Sequence, residues 1–367
     1  MKELLSSYKI DHIEIYTPMA KAMAYWHSNA LGFFNSAYKC DDSSGISSHV
    51  LTSNEITIVL TSSFGTNKTL NNNEISSFIA KHYCGVKRFA LCVSDVKSVF
   101  DQCIKRGAFP IKFPERVVDD FGYVEEASIK LFDDSEISFI DRSGYHGSFK
   151  PGYHGAHDEK NRQNSFFSTV DHLASELRIN ESKFWSDYLT NVLGTKQVQR
   201  FELDGNNTTG MILNVNQSDD KNLTLVLAEP ASHLISSKVQ NNVNTFGPGI
   251  HHLAFKTEDI FSAIENLGLR GIQFIKFPPS YYELLRGKEE FKELDIDLFE
   301  KYNVLVDKEN ETYLLQKFIK PISDRSFFFY EIVQRVKGYN GFAIANINIL
   351  KKAEEIEIMK SDDKKTK

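Results

Sequence analysis

The amino-acid sequence predicts an α+β fold built from four β-α-β-β-β modules that pair into two open barrels. The first observation is an internal repeat, in which residues 86–114 (VKRFALCVSDVKSVFDQCIKRGAFPIKFP) align without a gap with residues 250–278 (IHHLAFKTEDIFSAIENLGLRGIQFIKFP). The second is a pair of Asp-His steps, at 11–12 and 171–172, each followed at a similar distance by one of the two tryptophans of the chain. Self-similarity at a long interval indicates duplicated structural units. We therefore expect two similar halves with two modules in each.

Each module is expected to follow one order along the chain. An apolar strand opens the module, with the sequences IDHIEIY, FALCV, VDHLASEL and HHLAF. An amphipathic helix comes next, with the sequences MAKAMAYWHSNAL, VKSVFDQCIKRG, ESKFWSDYLTNVL and IFSAIENLGLRG. A glycine at or just after the end of each helix is a common helix stop. Alternating segments such as ITIVLTS, SEISFID, LTLVLAE and FFFYEIVQR supply the remaining strands.

The repeat also divides the chain into domains. We expect an N-terminal two-module half at 1–150, a linker at 151–165, a C-terminal two-module half at 166–358 and a disordered charged tail at 359–367. The linker is placed by a stretch rich in glycine, histidine and polar residues. An additional segment in the C-terminal half, PPSYYELLRGKEEFKELDIDLFEKYNVLVD, has helical spacing of its apolar residues.

The composition excludes several classes of protein. Hydrophobic residues make up 41% and charged residues 25% of the 367 residues, as in soluble globular proteins. A net charge of −6 gives no general attraction for nucleic acid, and no apolar run is long enough to span a membrane. The N-terminus lacks the apolar core of a signal peptide, and the four cysteines include no C-x-x-C pair. We therefore expect a cytoplasmic protein without a disulfide framework or a thiolate zinc site.

Three candidate metal ligands emerge when the two halves are compared. His172 and His252 lie near the start of opening strands, and Glu331 lies in the closing strand FFFYEIVQR. The opening and closing strands of paired modules line one concave sheet, so these side chains are expected to converge. Two imidazoles and a carboxylate are the donors of the facial triad that binds Fe(II) and leaves positions open, although the same donors also bind Zn²⁺ or Mn²⁺.

The corresponding N-terminal residues offer a different chemistry. They are His12, Arg88 and Ser138. Arg88 is permanently charged and a serine hydroxyl is a poor ligand, so the sequence places the metal site in the C-terminal half. His12 is then expected to be structural, and so is His251, because strand alternation directs it to the face opposite His252. A structural role for all these histidines is the alternative that the residues leave open.

The sequence resembles the 4-hydroxyphenylpyruvate dioxygenase family, which belongs to the vicinal-oxygen-chelate superfamily of glyoxalase-like folds and includes 4-hydroxymandelate synthase. The resemblance extends over about residues 8–357 and includes the linker phrase FIDRSGYHGSFKPGY. Its most specific phrases are VDH (170–172), GPGIHHLAF (247–255), LLQKFIKPISDRSFFFYEIVQR (314–335) and GFAIANI (341–347).

The resemblance implies an activity and a set of ligands. Family members use Fe(II) to convert a 2-oxo acid and O₂ into CO₂ and a hydroxylated product, and the ligands implied here are His172, His252 and Glu331. This set agrees with the comparison of the two halves. The resemblance further implies an arylpyruvate substrate and a homo-oligomer that assembles through the N-terminal half. Neither nucleic acid nor a membrane is expected as a partner.

Several substrate contacts are implied by residues that match the family pattern. Gln316 and Phe318 in LLQKF match a polar pocket residue and an aromatic wall. Phe342 and Asn346 are retained from the closing phrase G-F-G-x-G-N-F, in which two glycines are alanines here. The segment INILKKAEEIEIMK that follows Asn346 has helical spacing and is expected to form a lid over the site.

Three further positions depart from the family pattern. Ala228 replaces the asparagine of L-N-E-P, and Lys238 stands where S-Q-I-x has a pocket glutamine. Ile347 replaces the last aromatic residue of the closing phrase, as in mandelate-forming members. A smaller wall would present the benzylic carbon instead of the ring to the oxidant, so Ile347 favours 4-hydroxymandelate over homogentisate. A plain core role for Ile347 is the alternative.

Other functions are compatible with parts of the sequence. A homogentisate-forming enzyme and a dioxygenase for another 2-oxo acid both fit the ligand set, since Ala228 and Lys238 alter the pocket. A glyoxalase-type isomerase or a ring-cleaving dioxygenase could be built on the same modules, but a glyoxalase site requires four protein ligands, and the third module offers only Glu229, which is out of register. A non-catalytic scaffold would explain the changed pocket residues but not an intact pair of histidines with Glu331.

Overall fold

Four β-α-β-β-β modules form two curved β-sheets, which confirms the predicted fold class of two open barrels. The structure is a computed structural model that describes residues 4–5, 7–64, 70–155, 165–203, 210–231, 238–325, 327–343, 346–350, 352–353 and 356. The predicted tail and most of the predicted linker lie outside these residues, and the predicted domain boundaries stay predictions.

The N-terminal sheet contains nine strands in the order β6-β7-β8-β5-β1-β4-β3-β2-β9. They are β1 Ile10–Tyr16, β2 Phe34–Asp41, β3 Ile46–Ser53, β4 Ile56–Ser63, β5 Gly85–Cys92, β6 Pro110–Asp119, β7 Gly122–Leu131, β8 Ser135–Asp141 and β9 His154–Gly155. Its helices are α1 Ala20–Trp26, which continues as a π-helical turn at His27–Leu31, α2 Leu70–His82 and α3 Val96–Lys105.

The C-terminal sheet contains eight strands in the order β11-β12-β13-β10-β14-β17-β16-β15. They are β10 Val170–Glu176, β11 Lys196–Leu203, β12 Met211–Gln217, β13 Thr224–Pro230, β14 Gly249–Lys256, β15 Leu305–Glu309, β16 Thr312–Phe318 and β17 Phe329–Val336. Its helices are α4 Ser182–Leu193, α5 Lys238–Phe246, α6 Ile260–Leu269, α7 Pro279–Arg286 and α8 Ile296–Tyr302, with a 3₁₀ turn at Glu289–Phe291. Residues 346–350 are also helical, as expected for the lid.

Repeated sequence signals produce repeated local structure. Asp95 caps α3 by accepting a hydrogen bond from the Ser98 backbone N–H at 2.8 Å, and Asp259 caps α6 in the same way at the corresponding position. The helices of the first and third modules both end at a glycine with a φ of 82°, Gly32 and Gly194. This left-handed conformation strains residues with a Cβ atom, so glycine sets the end of each helix.

Aromatic side chains join the two halves behind the C-terminal sheet. Phe33 packs against Phe255 with ring centroids 5.8 Å apart, and His27 Nε2 lies 2.6 Å from the Tyr330 hydroxyl. His27 is fully buried, and burial lowers the pKa of its imidazole to about 4, so it is neutral in this contact. The contact anchors β17 next to Glu331, because Tyr330 directly precedes that residue.

The structure also contains helices that the sequence pattern did not predict. The insertion forms α7 and α8 as expected, but α2 and α5, which connect the modules within each half, were not predicted. Both connecting helices are rich in asparagine, and α2 has weak apolar periodicity, whereas α5 buries Val239, Val243 and Phe246 at helical spacing. Among the described residues, no helix combines the length and the apolarity that a membrane crossing requires.

Candidate metal centre

Three adjacent strands bring the predicted ligands together. On β14, Ala254 lies opposite His172 of β10 on one side and opposite Glu331 of β17 on the other. His252 is two residues before Ala254 and therefore points to the same face. One ligand atom from each of the three residues lies within 4.8 Å of the others, the only such cluster of histidine, cysteine or acidic side chains in the described chain.

Glu331 already contacts both imidazoles and forms an ion pair with His172. Glu331 Oε2 lies 3.3 Å from His172 Nε2 and 3.1 Å from His252 Nε2, and Glu331 is only 1% exposed. Burial opposes ionisation of Glu331, but hydrogen bonds and the charges of the two imidazoles lower the pKa of its carboxyl to about 2. Burial also opposes charging of His172, whereas Asp171 and Glu331 raise the pKa of its imidazole to about 9. A divalent cation would therefore displace one proton on binding.

A buried Asp-Arg pair orients His172. His172 Nδ1 donates to Asp171 at 2.8 Å, which leaves Nε2 facing Glu331. Asp171 accepts two further hydrogen bonds from Arg335, at 2.7 and 2.8 Å. Arg335 also donates to the carbonyl of Gly341, which precedes the predicted lid. The candidate ligand His172, the Asp-Arg pair that orients it and the segment leading to the lid are thus connected directly.

His251 orients the second imidazole, and the expectation that it faces away from His252 is wrong. The pairing of β10 with β14 shifts between Ala174 and the next residue, so His251 is the extra residue of a β-bulge. Its ring lies 4.4 Å from that of His252, centroid to centroid. His251 Nδ1 donates to the Ala174 carbonyl at 3.0 Å, so its Nε2 accepts from His252 Nδ1 at 3.1 Å. His252 Nε2 is thereby free to bind a metal.

The carboxylate ligand is held by a chain of amides. Gln316 Nε2 donates to Glu331 Oε1 at 2.7 Å, and Asn346 Nδ2 donates to Gln316 Oε1 at 2.9 Å. The Tyr281 hydroxyl donates to Asn346 Oδ1 at 2.7 Å. All these groups are buried. The chain links Glu331 to the helical segment 346–350 and to α7, so the contacts of that segment help to hold the candidate ligand in place.

The ligands line a cavity of about 300 Å³ with mainly apolar walls. Phe329 stacks on His252 with centroids 5.0 Å apart, and Phe318 approaches the same ring edge-on at 6.1 Å. Phe342 packs edge-on against His172. A cavity of this size and polarity accommodates a small aromatic molecule next to the metal ligands.

Comparisons with known proteins agree with this site. The chain is 30% identical over 364 residues to a 4-hydroxyphenylpyruvate dioxygenase from Tetrahymena thermophila, covering 95% of this chain and 89% of the relative. It is 30% identical to the enzyme of the same name from Dictyostelium discoideum, covering 94% and 96%. The chain belongs to the 4-hydroxyphenylpyruvate dioxygenase family. It is therefore a dioxygenase, as the sequence resemblance predicted.

Two further comparisons support the fold. Residues 169–288 match the model of the Glyoxalase/Bleomycin resistance protein/Dioxygenase superfamily. A substituted variant of 4-hydroxymandelate synthase from Streptomyces coelicolor superposes with a TM-score of 0.83 at 24% identity, covering 96% of this chain and 99% of that chain. The matched segment includes both histidine ligands of the candidate metal centre.

Most residues that the family pattern placed in the substrate pocket line the cavity. They are Ala228, Gln316, Phe318, Phe342, Asn346 and Ile347. Lys238 is exposed at the first position of α5, and the cavity wall is formed instead by the next residue, Val239. Ala343, at a position where the family has glycine, has a φ of 55°, a left-handed conformation that costs about 1 kcal/mol for alanine.

The N-terminal half repeats the scaffold of the site but not its ligands. Ala90 lies opposite both His12 and Ser138, as Ala254 lies opposite His172 and Glu331. Asp11 hydrogen-bonds His12 and Arg142, which reproduces the Asp-His-Arg arrangement. At the position of His252 stands Arg88, whose guanidinium pairs with Glu14 at 3.0 Å and with Glu136 at 3.5 Å.

Sequence reasoning missed several residues of the site. Asp171 and Arg335 were recognisable from the repeat. The Asp-His step occurs in both halves, and so does the arginine that ends SFIDR and EIVQR. Glu176 lines the cavity and was recognisable from its alternation with His172 along β10. Tyr281 comes from the insertion, and no sequence signal connects it to Asn346. Glu229, considered as a fourth ligand, instead accepts a hydrogen bond from the Ser182 backbone N–H and does not line the cavity.

Proposed function

We propose that this protein is an Fe(II)-dependent dioxygenase that acts on an arylpyruvate such as 4-hydroxyphenylpyruvate. It consumes O₂, releases the carboxyl group of the substrate as CO₂ and hydroxylates the remaining molecule. The observation that carries the proposal is the convergence of His172, His252 and Glu331 on one wall of an apolar cavity. Two imidazoles and a carboxylate occupy one face of an octahedral ion and leave the other positions for substrate and O₂.

The protein contributes orientation and exclusion of water. Bound Fe(II) supplies the Lewis-acid and redox chemistry that couples the 2-oxo acid to O₂. Asp171 and His251 keep both histidines in the tautomer whose Nε2 can bind the ion, and Gln316 fixes one oxygen of Glu331. The phenylalanine walls separate the reacting groups from solvent, which limits side reactions.

The test is anaerobic reconstitution with Fe(II), followed by addition of 4-hydroxyphenylpyruvate and O₂. We expect O₂ uptake that a chelator abolishes and that added Fe(II) restores. 4-Hydroxymandelate and homogentisate have the same composition, so the product is identified by NMR or by chromatography against standards. Iron-loaded protein that leaves O₂ unchanged with arylpyruvates and with other 2-oxo acids contradicts the proposal.

We propose 4-hydroxymandelate as the product, on the basis of Ile347. This side chain lines the cavity and packs with Leu213 and Ala228, at the wall against which a substrate ring would rest. Its volume is smaller than that of phenylalanine, so the ring can sit deeper and present its benzylic carbon. Homogentisate is the second candidate, favoured by the names of the relatives. A different 2-oxo acid is the third, because Ala228 offers no amide to a polar ring substituent.

Replacement of Ile347 by phenylalanine is expected to shift the product towards homogentisate. A bulkier wall presses the ring towards the oxidant, and a tenfold change in product ratio requires only about 1.4 kcal/mol between the two barriers. The ratio is measured by chromatography of complete turnovers. Ile347→Leu, which keeps the volume, is the matched control and should leave the ratio within about twofold. An unchanged ratio in Ile347→Phe contradicts the steric argument.

We also propose that the chain assembles into homo-oligomers through the N-terminal half. The outermost strand of that sheet, β6, and its flanking residues expose six large apolar side chains, namely Phe109, Ile111, Phe113, Val117, Val118 and Phe121. An exposed apolar edge strand pairs readily with another chain. A second copy of this chain is the proposed partner.

Charged substitutions on β6 are expected to dissociate the oligomer. Val118→Lys introduces a charge at a side chain that is 69% exposed in the single chain, so it should disfavour association without disturbing the fold. Sedimentation velocity measures the mass. Leu269→Lys, at an 88% exposed position on α6, is the matched control and should not alter it. A monomeric wild-type protein contradicts the proposal.

A further inference from the structure

The cavity contains a second acidic group besides Glu331. Glu176 lies four residues after His172 on β10, and the side chains of His172, Ala174 and Glu176 all line the cavity. Four residues of an extended strand span about 13 Å from His172, but Glu176 comes closer to His252, because it lies next to His251, whose ring packs on that of His252. Glu176 therefore faces the cavity beside His251, at a position separate from the three candidate ligands.

One oxygen of Glu176 is buried without a partner. The residue is 5% exposed, and its Oε2 makes no hydrogen bond to any described residue. The carboxyl lies near the Asn242 side chain of α5, and its Oε1 is 3.9 Å from His251 Nε2, beyond hydrogen-bond distance. An unsatisfied buried acceptor costs about 1–3 kcal/mol, so a cavity that retains one is suited to a ligand that donates to it.

The described residues of β12 and β13 that line the cavity next to Glu176 are apolar. Ala228 is its direct neighbour on β13, and the adjoining wall consists of Met211, Leu213 and Val239. Burial raises the pKa of the Glu176 carboxyl to about 7, while the Asn242 hydrogen bond and the charge of Lys238 lower it. Near neutral pH a substantial fraction is therefore ionised, and a carboxylate is a strong acceptor.

We infer that Glu176 is a specificity residue that accepts a hydrogen bond from an O–H or N–H group at the far end of an arylpyruvate ring. The inference rests on the proposed function, which places the 2-oxo acid at the metal and the ring between the apolar walls. A ring without a donor at that end leaves the buried carboxyl unpaired, and such sites discriminate strongly against the analogue that lacks the donor. A ring with only an acceptor there is disfavoured by the ionised carboxylate, which has no proton to donate.

The test compares three substrates that differ at one position. They are 4-hydroxyphenylpyruvate, which carries a donor, phenylpyruvate, which carries none, and 4-methoxyphenylpyruvate, which carries only an acceptor. In the wild-type enzyme we expect kcat/KM for the hydroxylated substrate to exceed the other two by at least about 30-fold, as expected for a hydrogen bond to a charged group. Glu176→Leu should reduce this ratio to below about threefold while still turning over phenylpyruvate. Glu176→Gln keeps an acceptor oxygen and should retain most of the discrimination.

A binding measurement separates specificity from structural damage. Calorimetry on the iron-loaded protein without O₂ should show the same order of affinities as kcat/KM, and the order should disappear in Glu176→Leu. Iron content and melting temperature serve as controls. In Glu176→Leu the iron content should be unchanged. The melting temperature should be unchanged or higher, because the substitution removes an unpaired buried carboxyl. Loss of iron together with loss of discrimination would show a structural role and overturn the inference.

The outcomes distinguish this inference from the proposed function. If the wild-type enzyme and Glu176→Leu oxidise all three substrates with equal preference, Glu176 does not select the substrate, although the dioxygenase proposal stands. If the wild-type protein binds the three compounds equally and consumes no O₂ with any of them, both proposals fail. O₂ consumption that is fastest with phenylpyruvate in the wild-type enzyme also overturns the role of Glu176.

Discussion

Replacement of Glu331 by alanine is expected to remove both the bound iron and the activity. Glu331 is the anionic member of the ligand set, and its side chain lies between the two imidazoles at 3.1 and 3.3 Å. Without it, two neutral imidazoles face a dipositive ion in a buried site, which weakens binding severely. We expect kcat to fall by at least about 10³-fold, which corresponds to about 4 kcal/mol in the barrier. Iron content after reconstitution and O₂ uptake are the measurements.

The N-terminal half supplies matched controls for this substitution. Ser138 occupies the position of Glu331 in that half, and His12 occupies the position of His172. Ser138→Ala and His12→Ala are expected to leave the iron content of the folded protein unchanged. Iron-dependent activity that persists in Glu331→Ala would refute the assignment of the site. Loss of iron in either control variant would mean that the metal binds in the N-terminal half.

The convergence of the three candidate ligands was predictable because it depends on strand register. Comparison of the two halves aligned Arg88 with His252 and Ser138 with Glu331, and the structure places both pairs at equivalent positions of the two sheets. A period of two along a regular strand fixes which side chains share a face. Residues that lie on regular strands of a repeated module can therefore be located without a structure.

Features that break the regular pattern were not predictable. His251 points into the cavity because a β-bulge inserts one residue into β14, and no local sequence signal reveals which residue is extra. Lys238 misses the cavity because it begins α5, a connecting helix that was not predicted, and Val239 takes the inward position. Tyr281 reaches Asn346 from an insertion whose packing depends on tertiary contacts. Each error arises where backbone irregularity or long-range packing decides the direction of a side chain.

The two halves show how few changes separate a metal site from a salt-bridge network. Both keep a buried aspartate between a histidine and an arginine, with Asp11 in one half and Asp171 in the other. The halves differ in the two residues on neighbouring strands that share a sheet face with this histidine. The shared arrangement therefore stabilises each barrel irrespective of metal, and in the C-terminal half it additionally orients a ligand.

This double role predicts that the same substitution has similar effects on stability in the two halves but different effects on iron binding. Asp171→Asn and Asp11→Asn each remove the charged partner of a partly buried arginine, so both should destabilise the protein, by about 2 kcal/mol each. The two variants are expected to melt at similar temperatures, measured without metal. Such a result would establish that the structural contribution of the aspartate is the same in both halves.

Iron affinity is expected to separate the two variants. In Asp171→Asn the amide can present its N–H₂ group to His172 Nδ1, which favours the tautomer with the proton on Nε2 and blocks that ligand atom. We expect Asp171→Asn to lower the affinity for Fe(II) by about 10–100-fold, the range typical when the residue that orients a metal-binding histidine is replaced, and Asp11→Asn to leave it unchanged. The affinities are measured by anaerobic titration of each folded variant. Equal affinities in the two variants would show that Asp171 stabilises the barrel but does not orient the ligand.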